Sequence, residues 1–121
     1  MVRNDLNGMR LRLPNKPEIY LMDEGKRRWI PDPPTYNGLF RDWNGVFPDI
    51  DIDEIDLGTQ ITHGALLIRG LASPKVYLFD QNKKRHVTSP AVMDKYYFDW
   101  GKIHPIDQAV VDGIANGPDI N

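Results

Sequence analysis

The pattern of apolar and polar residues predicts that each half of this chain opens with a β-strand. Residues 9–13, MRLRL, alternate apolar and basic side chains with the two-residue period of a half-buried strand. Residues 65–69, ALLIR, are more continuously apolar, which indicates a more central strand. We therefore predict one opening strand near the start of each half.

A β-hairpin is predicted directly after each opening strand. The segments EIYLMD and KVYLFD are rich in β-branched and aromatic residues, and they lead into DEGK and DQNK. Gly25 and Asn82 take the same place in these two turns, and both residue types tolerate a left-handed backbone. Asp23 and Asp80 can accept backbone N–H bonds at the turn entrance. The predicted return strands are residues 26–30, KRRWI, and residues 83–87, KKRHV.

A short helix is predicted after each hairpin, because a capping residue stands directly before a proline. Asp32 precedes Pro33 and Ser89 precedes Pro90, which places an N-cap before a proline at the first helical position. The predicted helices cover residues 33–40 and 90–97. The first contains poor helix formers, so we predict a frayed or 3-10 turn there. These are Pro34, Asn37 and Gly38.

Tryptophans and further capping residues follow the two helices. Trp43 and Trp100 stand in register, and we predict that both are mostly buried and pack the helix onto the hairpin, with Trp29 more accessible. Asp51 and Asp107 are candidate N-caps of a last short helix. That helix is clearest at residues 107–114, DQAVVDGI.

The two halves are also similar residue by residue. Residues 17–48 laid over residues 74–105, which lie 57 positions later, are identical at ten of 32 positions, whereas about two matches are expected by chance. The identical positions are Pro17, Tyr20, Leu21, Asp23, Lys26, Arg28, Pro33, Asp42, Trp43 and Pro48. This similarity indicates a tandem repeat of a β-β-β-α-α unit.

The repeat predicts an α+β fold in which neither half is stable alone. We predict a single domain, residues 1–121, with repeats at about residues 8–60 and 64–121, because a unit of about 57 residues buries too little surface to fold by itself. The ends of a two-unit array need cover. We expect the halves to close with pseudo-twofold symmetry around a small antiparallel sheet that both share; completion by a second chain is the alternative.

Composition narrows the classes of function. Hydrophobic residues make up 40%, charged residues 26% and aromatic residues 10% of the chain, as in globular domains. The net charge of −2 gives no general attraction to nucleic acid or anionic lipid. Cysteine is absent, which excludes disulfides and thiolate metal sites. Apolar runs such as residues 65–68 are too short to span a bilayer, and no signal-peptide pattern is recognised. We predict neither a nucleic-acid partner nor membrane insertion.

The acidic segment at residues 49–56 superficially resembles a calcium loop, with five carboxylates in eight residues. An EF-hand loop needs glycine at its sixth position and glutamate at its twelfth, where this chain has Glu54 and Gln60. We favour a solvated helix start rich in acids over a metal site.

Patterns typical of enzymes are absent from the rest of the sequence. His63, His86 and His104 lack metal-ligand spacing, and Ser73 and Ser89 do not lie in a nucleophile elbow. No glycine-rich phosphate loop occurs. We therefore predict a protein that is not an enzyme and needs no cofactor; a metal-dependent hydrolase built on residues 49–56 is the least favoured alternative.

The basic residues of the return strands are not expected to form one patch. Alternate residues of a strand face opposite sides, so the charges of each triplet are divided between two faces. We expect Arg28 and Arg85 to pair with Asp23 and Asp80 across their hairpins, while the lysines protect a sheet edge.

A binding surface is predicted where the two copies differ. Trp29 corresponds to His86 in the second copy, and if Ile30 faces the core, then Trp29 is exposed beside Asp32 and Tyr36. Aromatic faces flanked by carboxylate and guanidinium groups bind sugar rings and peptides. That Trp29 merely covers the hairpin is the alternative. The candidate ligand-binding residues are Trp29, Arg28, Asp32, Tyr36, Arg85 and His86.

The repeat unit resembles a short repeat of secreted and cell-surface bacterial proteins, with the core YL-x-D-x-GKRR-x-IP-x-P. The two copies here are YLMDEGKRRWIPDP and YLFDQNKKRHVTSP, and the second departs from the pattern at Asn82 and Thr88. The resemblance implies a bacterial, extracytoplasmic, noncatalytic module. We expect a lectin-like or cell-wall-directed binding module, either monomeric or homodimeric, with a glycan as its ligand. The alternative is a protein-interaction subunit, such as a toxin component or an inhibitor.

Overall fold

The first half of the chain forms a four-stranded mixed sheet. The computed structural model describes all residues, 1–121. The strands are β1 (Arg10–Arg12), β2 (Ile19–Asp23), β3 (Lys26–Trp29) and β4 (Phe47–Pro48). Their order in the sheet is β3-β2-β1-β4. Strand β2 is antiparallel to both β1 and β3, and β4 runs parallel to β1.

The second half forms a separate sheet with the same kind of order. Its strands are β5 (Leu66–Gly70), β6 (Tyr77–Asp80), β7 (Lys83–His86) and β8 (Ile103–Ile106). The order is β7-β6-β5-β8, with β8 parallel to β5. The expectation of one antiparallel sheet shared by both halves is therefore wrong.

The fourth strand of each sheet was not predicted from sequence. Both strands contain a proline, Pro48 in β4 and Pro105 in β8, and proline is tolerated only at edges because it cannot donate to a ladder. Each pairs in parallel with a strand more than 30 residues earlier in the chain, as in the pairs Leu11–Phe47 and Ile68–His104. No local turn signal marks such a pairing. Each half therefore has the α-helix and strand order β-β-β-α-β, followed by a short helical segment.

The hairpin turns have the predicted backbone conformation. Glu24 and Gly25 have φ of 54° and 75°, and Gln81 and Asn82 have φ of 54° and 60°. Two successive residues with positive φ characterise a type I′ turn, which matches the twist of the flanking strands. The prediction that Gly25 and Asn82 share a conformation is confirmed.

Three short α-helices are present, namely α1 (Pro33–Leu39), α2 (Pro90–Lys95) and α3 (Gln108–Asp112). The predicted N-caps of the first two are confirmed: Asp32 accepts a hydrogen bond from the N–H of Thr35 at 2.8 Å, and Ser89 accepts one from the N–H of Val92 at 3.3 Å. The expectation of a frayed first helix is wrong. Helix α1 is regular because its Thr35, Tyr36 and Leu39 are buried, and packing outweighs propensity in short helices.

Only one of the two last helices forms as expected. Asp107 caps α3 by accepting a hydrogen bond from the N–H of Ala109 at 2.9 Å. In the first half a 3-10 turn, Ile52–Glu54, takes this place, and Asp51 makes no side-chain cap. The side chain of Asp49 instead accepts a hydrogen bond from the N–H of Asp51 at 2.9 Å, which uses the acidic segment for a local turn.

One hydrophobic cluster of 16 buried residues contains side chains from both halves. At its centre, Phe40 and Phe98 form an antiparallel bridge, and their rings lie 5.7 Å apart. The N–H of Asp99 donates to the carbonyl of Leu39 at 2.9 Å, which extends this link between the halves. A smaller cluster, Leu11, Met22, Ile52 and Ile55, lies on the first sheet.

The prediction that Trp43 and Trp100 are core residues is wrong. Trp43 is 46% exposed and Trp100 is 48% exposed, both more than Trp29 at 37%. Phe40 and Phe98 occupy the core in their place and are fully buried. Trp43 and Trp100 follow these phenylalanines by a few residues, and their indoles remain about half exposed.

Candidate functional site

A cleft on the first half is lined by aromatic residues and prolines, with two carboxylates among them. It lies between the start of β2, the end of β3 and the N-terminus of α1, and its volume is about 320 Å³. We call it the Trp29 cleft. It is lined by Pro17, Glu18, Ile19, Trp29, Ile30, Pro31, Asp32, Pro33, Tyr36 and Trp43.

Strand alternation places Trp29 in this cleft. Ile30 is buried in the hydrophobic cluster, so the preceding residue on the chain points away from the core. Trp29 pairs with Tyr20 on β2 and remains 37% exposed. Its side chain is therefore partly covered by the protein and partly open to solvent in the cleft.

Trp43 lies on a rigid support. Its ring stacks on the ring of Tyr36 with 3.9 Å between centroids and 20° between planes, and its Nε1–H donates to Asn37 Oδ1 at 2.8 Å. Tyr36 is itself fixed, because its hydroxyl donates to the carbonyl of Asp42 at 2.6 Å. Stacking and a directed hydrogen bond together leave the indole little rotational freedom. The side chain therefore loses little conformational entropy when a ligand binds against it.

A buried arginine holds the stacked rings of Tyr36 and Trp43 in place through hydrogen bonds to Tyr36 and to the following loop. The guanidinium of Arg10 donates to the hydroxyl of Tyr36 and, at 2.8 Å, to the carbonyl of Asn44. It also lies over the ring of Tyr97, 4.2 Å from the centroid, which connects the stack to the second half. Burial raises the pKa of Tyr36 and outweighs the opposing effect of Arg10, so the phenol stays protonated at neutral pH.

Two carboxylates give the cleft a negative rim. Asp32 Oδ1 accepts the capping bond from Thr35, and Oδ2 contacts Nδ1 of the exposed His63. Hydrogen bonding from the backbone of Thr35 is the main reason that the pKa of Asp32 lies below its ordinary value. Glu18 is exposed and forms no ion pair or side-chain hydrogen bond. Both oxygens of Glu18 are free to accept hydrogen bonds from a ligand.

The structure brings together three of the six candidate residues. Trp29, Asp32 and Tyr36 line one cleft, although Tyr36 is only 1% exposed and supports Trp43 rather than facing solvent. Arg28 lies on the opposite face of β3 and is buried. His86 lies on the second half, where its ring is 5.6 Å from the ring of Tyr77.

Arg28 and Arg85 belong to a buried ionic cluster between the halves. Arg28 donates to Asp23 at 2.9 Å and also to Asp80, so its predicted pairing across the hairpin is confirmed and a second pairing crosses the halves. Arg85 pairs with Asp23 and Glu24, so its expected pairing with Asp80 is wrong. Because the guanidinium groups of both arginines are already hydrogen-bonded, they do not contribute to the Trp29 cleft.

The ionic cluster favours the charged form of Asp23. Burial raises the pKa of this carboxyl group, but the hydrogen bonds and charge of Arg85, together with those of Arg28, outweigh burial and leave the pKa below its ordinary value. A cavity of about 250 Å³ opens beside the cluster, with no hydrophobic residue in its lining. Arg28 and Arg85 also donate through Nε to the carbonyls of Thr59 and Pro118 at 2.7 and 2.9 Å, which leaves few donors for a bound anion.

Sequence patterns missed Arg10 and Trp43 as parts of the site. The alternation of apolar and basic residues in its strand predicted that Arg10 faces solvent. Arg10 is instead buried, at the strand position that the buried Leu67 occupies in the second half. Trp43 recurs as Trp100, and recurrence was interpreted as burial. The sequence feature that could have indicated the position of Trp43 is the adjacent pair Tyr36 and Asn37, which offers a ring for stacking and an oxygen for the indole N–H.

The structure contains no group of three or more His, Cys, Asp or Glu side chains arranged to hold a metal ion. None of the helices combines the length and apolar character needed to cross a membrane. Comparison with models of protein families, with curated proteins and with solved structures finds no match.

Proposed function

We propose that this protein is a non-enzymatic binding module and that its Trp29 cleft holds a sugar ring of a cell-surface or cell-wall glycan. The observation that carries this proposal is the pair of half-exposed indoles, Trp29 and Trp43, in one cleft with the carboxylates of Glu18 and Asp32. The C–H face of a sugar ring stacks on an indole, and its hydroxyl groups donate to carboxylate oxygens.

Preorganisation supports binding at this place. Trp43 is held by Tyr36 and Asn37, and the wall of the cleft contains Pro17, Pro31 and Pro33, whose backbone φ is fixed. A ligand therefore orders few groups of the protein when it binds, so more of the contact free energy contributes to affinity.

We also propose that the chain is a tandem repeat whose halves are related by pseudo-twofold symmetry. Hydrogen bonds that occur in matching pairs support this. Gly58 and Gly117 donate from their N–H groups to the carbonyls of Arg27 and Lys84 at 2.9 and 2.8 Å. Ile61 and Ile120 likewise donate to Trp29 and His86 at 3.0 and 2.8 Å. On this proposal the two halves share the same backbone arrangement but present different side chains at the surface.

A glycan array tests the proposed function. The wild-type protein should give sugar-dependent binding, and this binding should include signals that Trp43→Ala loses and Trp100→Ala keeps. Trp100 is the matched control because it takes the same place in the repeat with nearly equal exposure and does not line the Trp29 cleft. No binding to any glycan, combined with recovery of a defined protein partner that Trp43→Ala abolishes, would overturn the sugar assignment and favour a protein-interaction subunit.

A further inference from the structure

We propose that a second ligand site lies on the second half, over Trp100, and that it takes an acidic sugar whose ring carries a carboxylate. The proposal rests on the proposed function only for the class of ligand, a sugar ring on an indole. The site is an open groove of about 690 Å³, which we call the Trp100 groove. Its lining includes Arg69, Leu71, Pro74, Val76, Trp100 and Ile103.

Trp100 offers an aromatic face with apolar surroundings. It begins a 3-10 turn, Trp100–Lys102, that is capped by Asp99, whose Oδ1 accepts from the N–H of Gly101 at 2.8 Å. The indole is 48% exposed, and Pro74 and Ile103 lie beside it in the groove. A flat apolar surface of this kind accepts the C–H face of a pyranose by dispersion.

Arg69 is the only charged residue in the lining of the Trp100 groove. Its guanidinium has no carboxylate partner, and its one hydrogen bond is a long contact of 3.4 Å from Nη1 to the carbonyl of Gly70. Lys75, between two lining residues, is exposed and forms no side-chain hydrogen bond or ion pair. The groove therefore presents unsatisfied positive charge next to an aromatic face.

The charge around the Trp100 groove is opposite to that around the Trp29 cleft. The Trp29 cleft is lined by two acids and no base, whereas the Trp100 groove is lined by Arg69 and no acid. In the alignment of the two halves, Glu18 of the cleft corresponds to Lys75, next to the groove. A ring carboxylate can accept two parallel hydrogen bonds from Arg69, whereas a neutral sugar offers no charge to it. Charge complementarity thus selects acidic sugars here.

Titration with glucuronic acid tests the proposal, with glucose as the matched neutral sugar, while the indole and guanidinium N–H signals are followed by NMR. Glucuronic acid should shift the signals of Trp100 and Arg69, and glucose should leave them in place. Arg69→Gln should weaken the binding about tenfold, which corresponds to about 1.4 kcal/mol. Arg69→Lys should retain part of it, Trp100→Ala should abolish it, and added salt should weaken it. Thermal melts of each variant verify folding.

Other outcomes contradict the proposal. Unchanged Trp100 and Arg69 signals, or equal shifts with glucose and glucuronic acid, overturn it. Stronger binding of an oligoglutamate peptide through the same residues assigns the groove to an acidic protein partner instead. If glucuronic acid shifts only the signals of Trp29 and Trp43, this inference is wrong and the proposed function is still supported. Shifts at Trp100 that persist in Trp43→Ala, with no sugar binding in the Trp29 cleft, contradict the proposed function and support the site at Trp100.

Discussion

Neighbouring residues of β3 have separate tasks because a strand alternates its faces. Arg28 points into the ionic cluster between the halves, and Trp29 points into the cleft. The same division is seen among the aromatic residues that follow the helices, where Phe40 and Phe98 fill the core while Trp43 and Trp100 stay half exposed. Residue type alone did not distinguish these roles, since both aromatic types are common in cores.

Replacing a buried phenylalanine should cost far more stability than replacing a half-exposed tryptophan. Phe98→Ala removes a fully buried ring from the centre of the hydrophobic cluster, and we expect a loss of about 3–5 kcal/mol in the free energy of unfolding. Trp100→Ala should cost about 1 kcal/mol or less. Urea denaturation of both variants measures this difference, and equal losses would contradict the assignment of Phe98 to the core.

At the scale of elements, local signals were readable and long-range pairings were not. The turn residues Gly25 and Asn82 and the caps Asp32 and Ser89 act on backbone within a few residues, so sequence predicted them. Strands β4 and β8 pair with partners far along the chain and contain proline, so no period or turn revealed them. For the same reason the predicted shared sheet was wrong.

The two helix caps allow stability to be separated from binding. Asp32→Ala and Ser89→Ala each remove a capping oxygen, so each should lower the free energy of unfolding by about 1 kcal/mol. Asp32→Ala also removes a carboxylate from the Trp29 cleft, so it alone should weaken sugar binding. Thermal melts and calorimetric titrations of both variants measure the two effects. Equal weakening of binding by Ser89→Ala would mean that the loss comes from the fold and not from the carboxylate.

At the scale of the whole molecule, the halves are joined by apolar and ionic contacts. The cluster of 16 buried residues draws on both halves, and the Phe40–Phe98 bridge crosses between them. Beside it, Arg28 and Arg85 bring guanidinium groups from each half onto Asp23. The sequence predicted that the halves close on each other but not these contacts, because they depend on which faces of two hairpins meet.

Neither half should fold by itself. A fragment of residues 1–60 loses every core side chain that the second half supplies and leaves Arg28 without Asp80. We expect no cooperative thermal transition for this fragment as a monomer, because too little apolar surface is buried. Circular dichroism during a melt, with sedimentation to establish the oligomeric state, decides this. A cooperative monomeric transition would show two independent domains.

Acid should weaken the junction between the halves through Asp23. Because the pKa of Asp23 is lower in the folded than in the unfolded protein, its contribution to stability is complete above about pH 4, the unfolded pKa, and is lost as the pH falls through the folded pKa. Asp23→Asn removes this carboxylate and leaves two arginines poorly neutralised, so at pH 7 it should cost about 3–5 kcal/mol. The stability gap between wild type and Asp23→Asn should narrow below about pH 4 in denaturant titrations. A gap that stays constant down to about pH 2 would contradict this account.

The most direct test of the central claim is a calorimetric titration of Trp29→Ala, run beside a thermal melt. The ligand is the glycan with the strongest array signal among those that Trp43→Ala loses and Trp100→Ala keeps. Removing one stacking indole from a preorganised cleft should weaken the affinity roughly five- to 150-fold, since about 1.4 kcal/mol is tenfold and one aromatic contact contributes about 1–3 kcal/mol. The melting temperature should change little, because Trp29 is 37% exposed and lies outside the hydrophobic cluster. Normal affinity in Trp29→Ala, or loss of folding, would contradict the claim that the Trp29 cleft is a binding site.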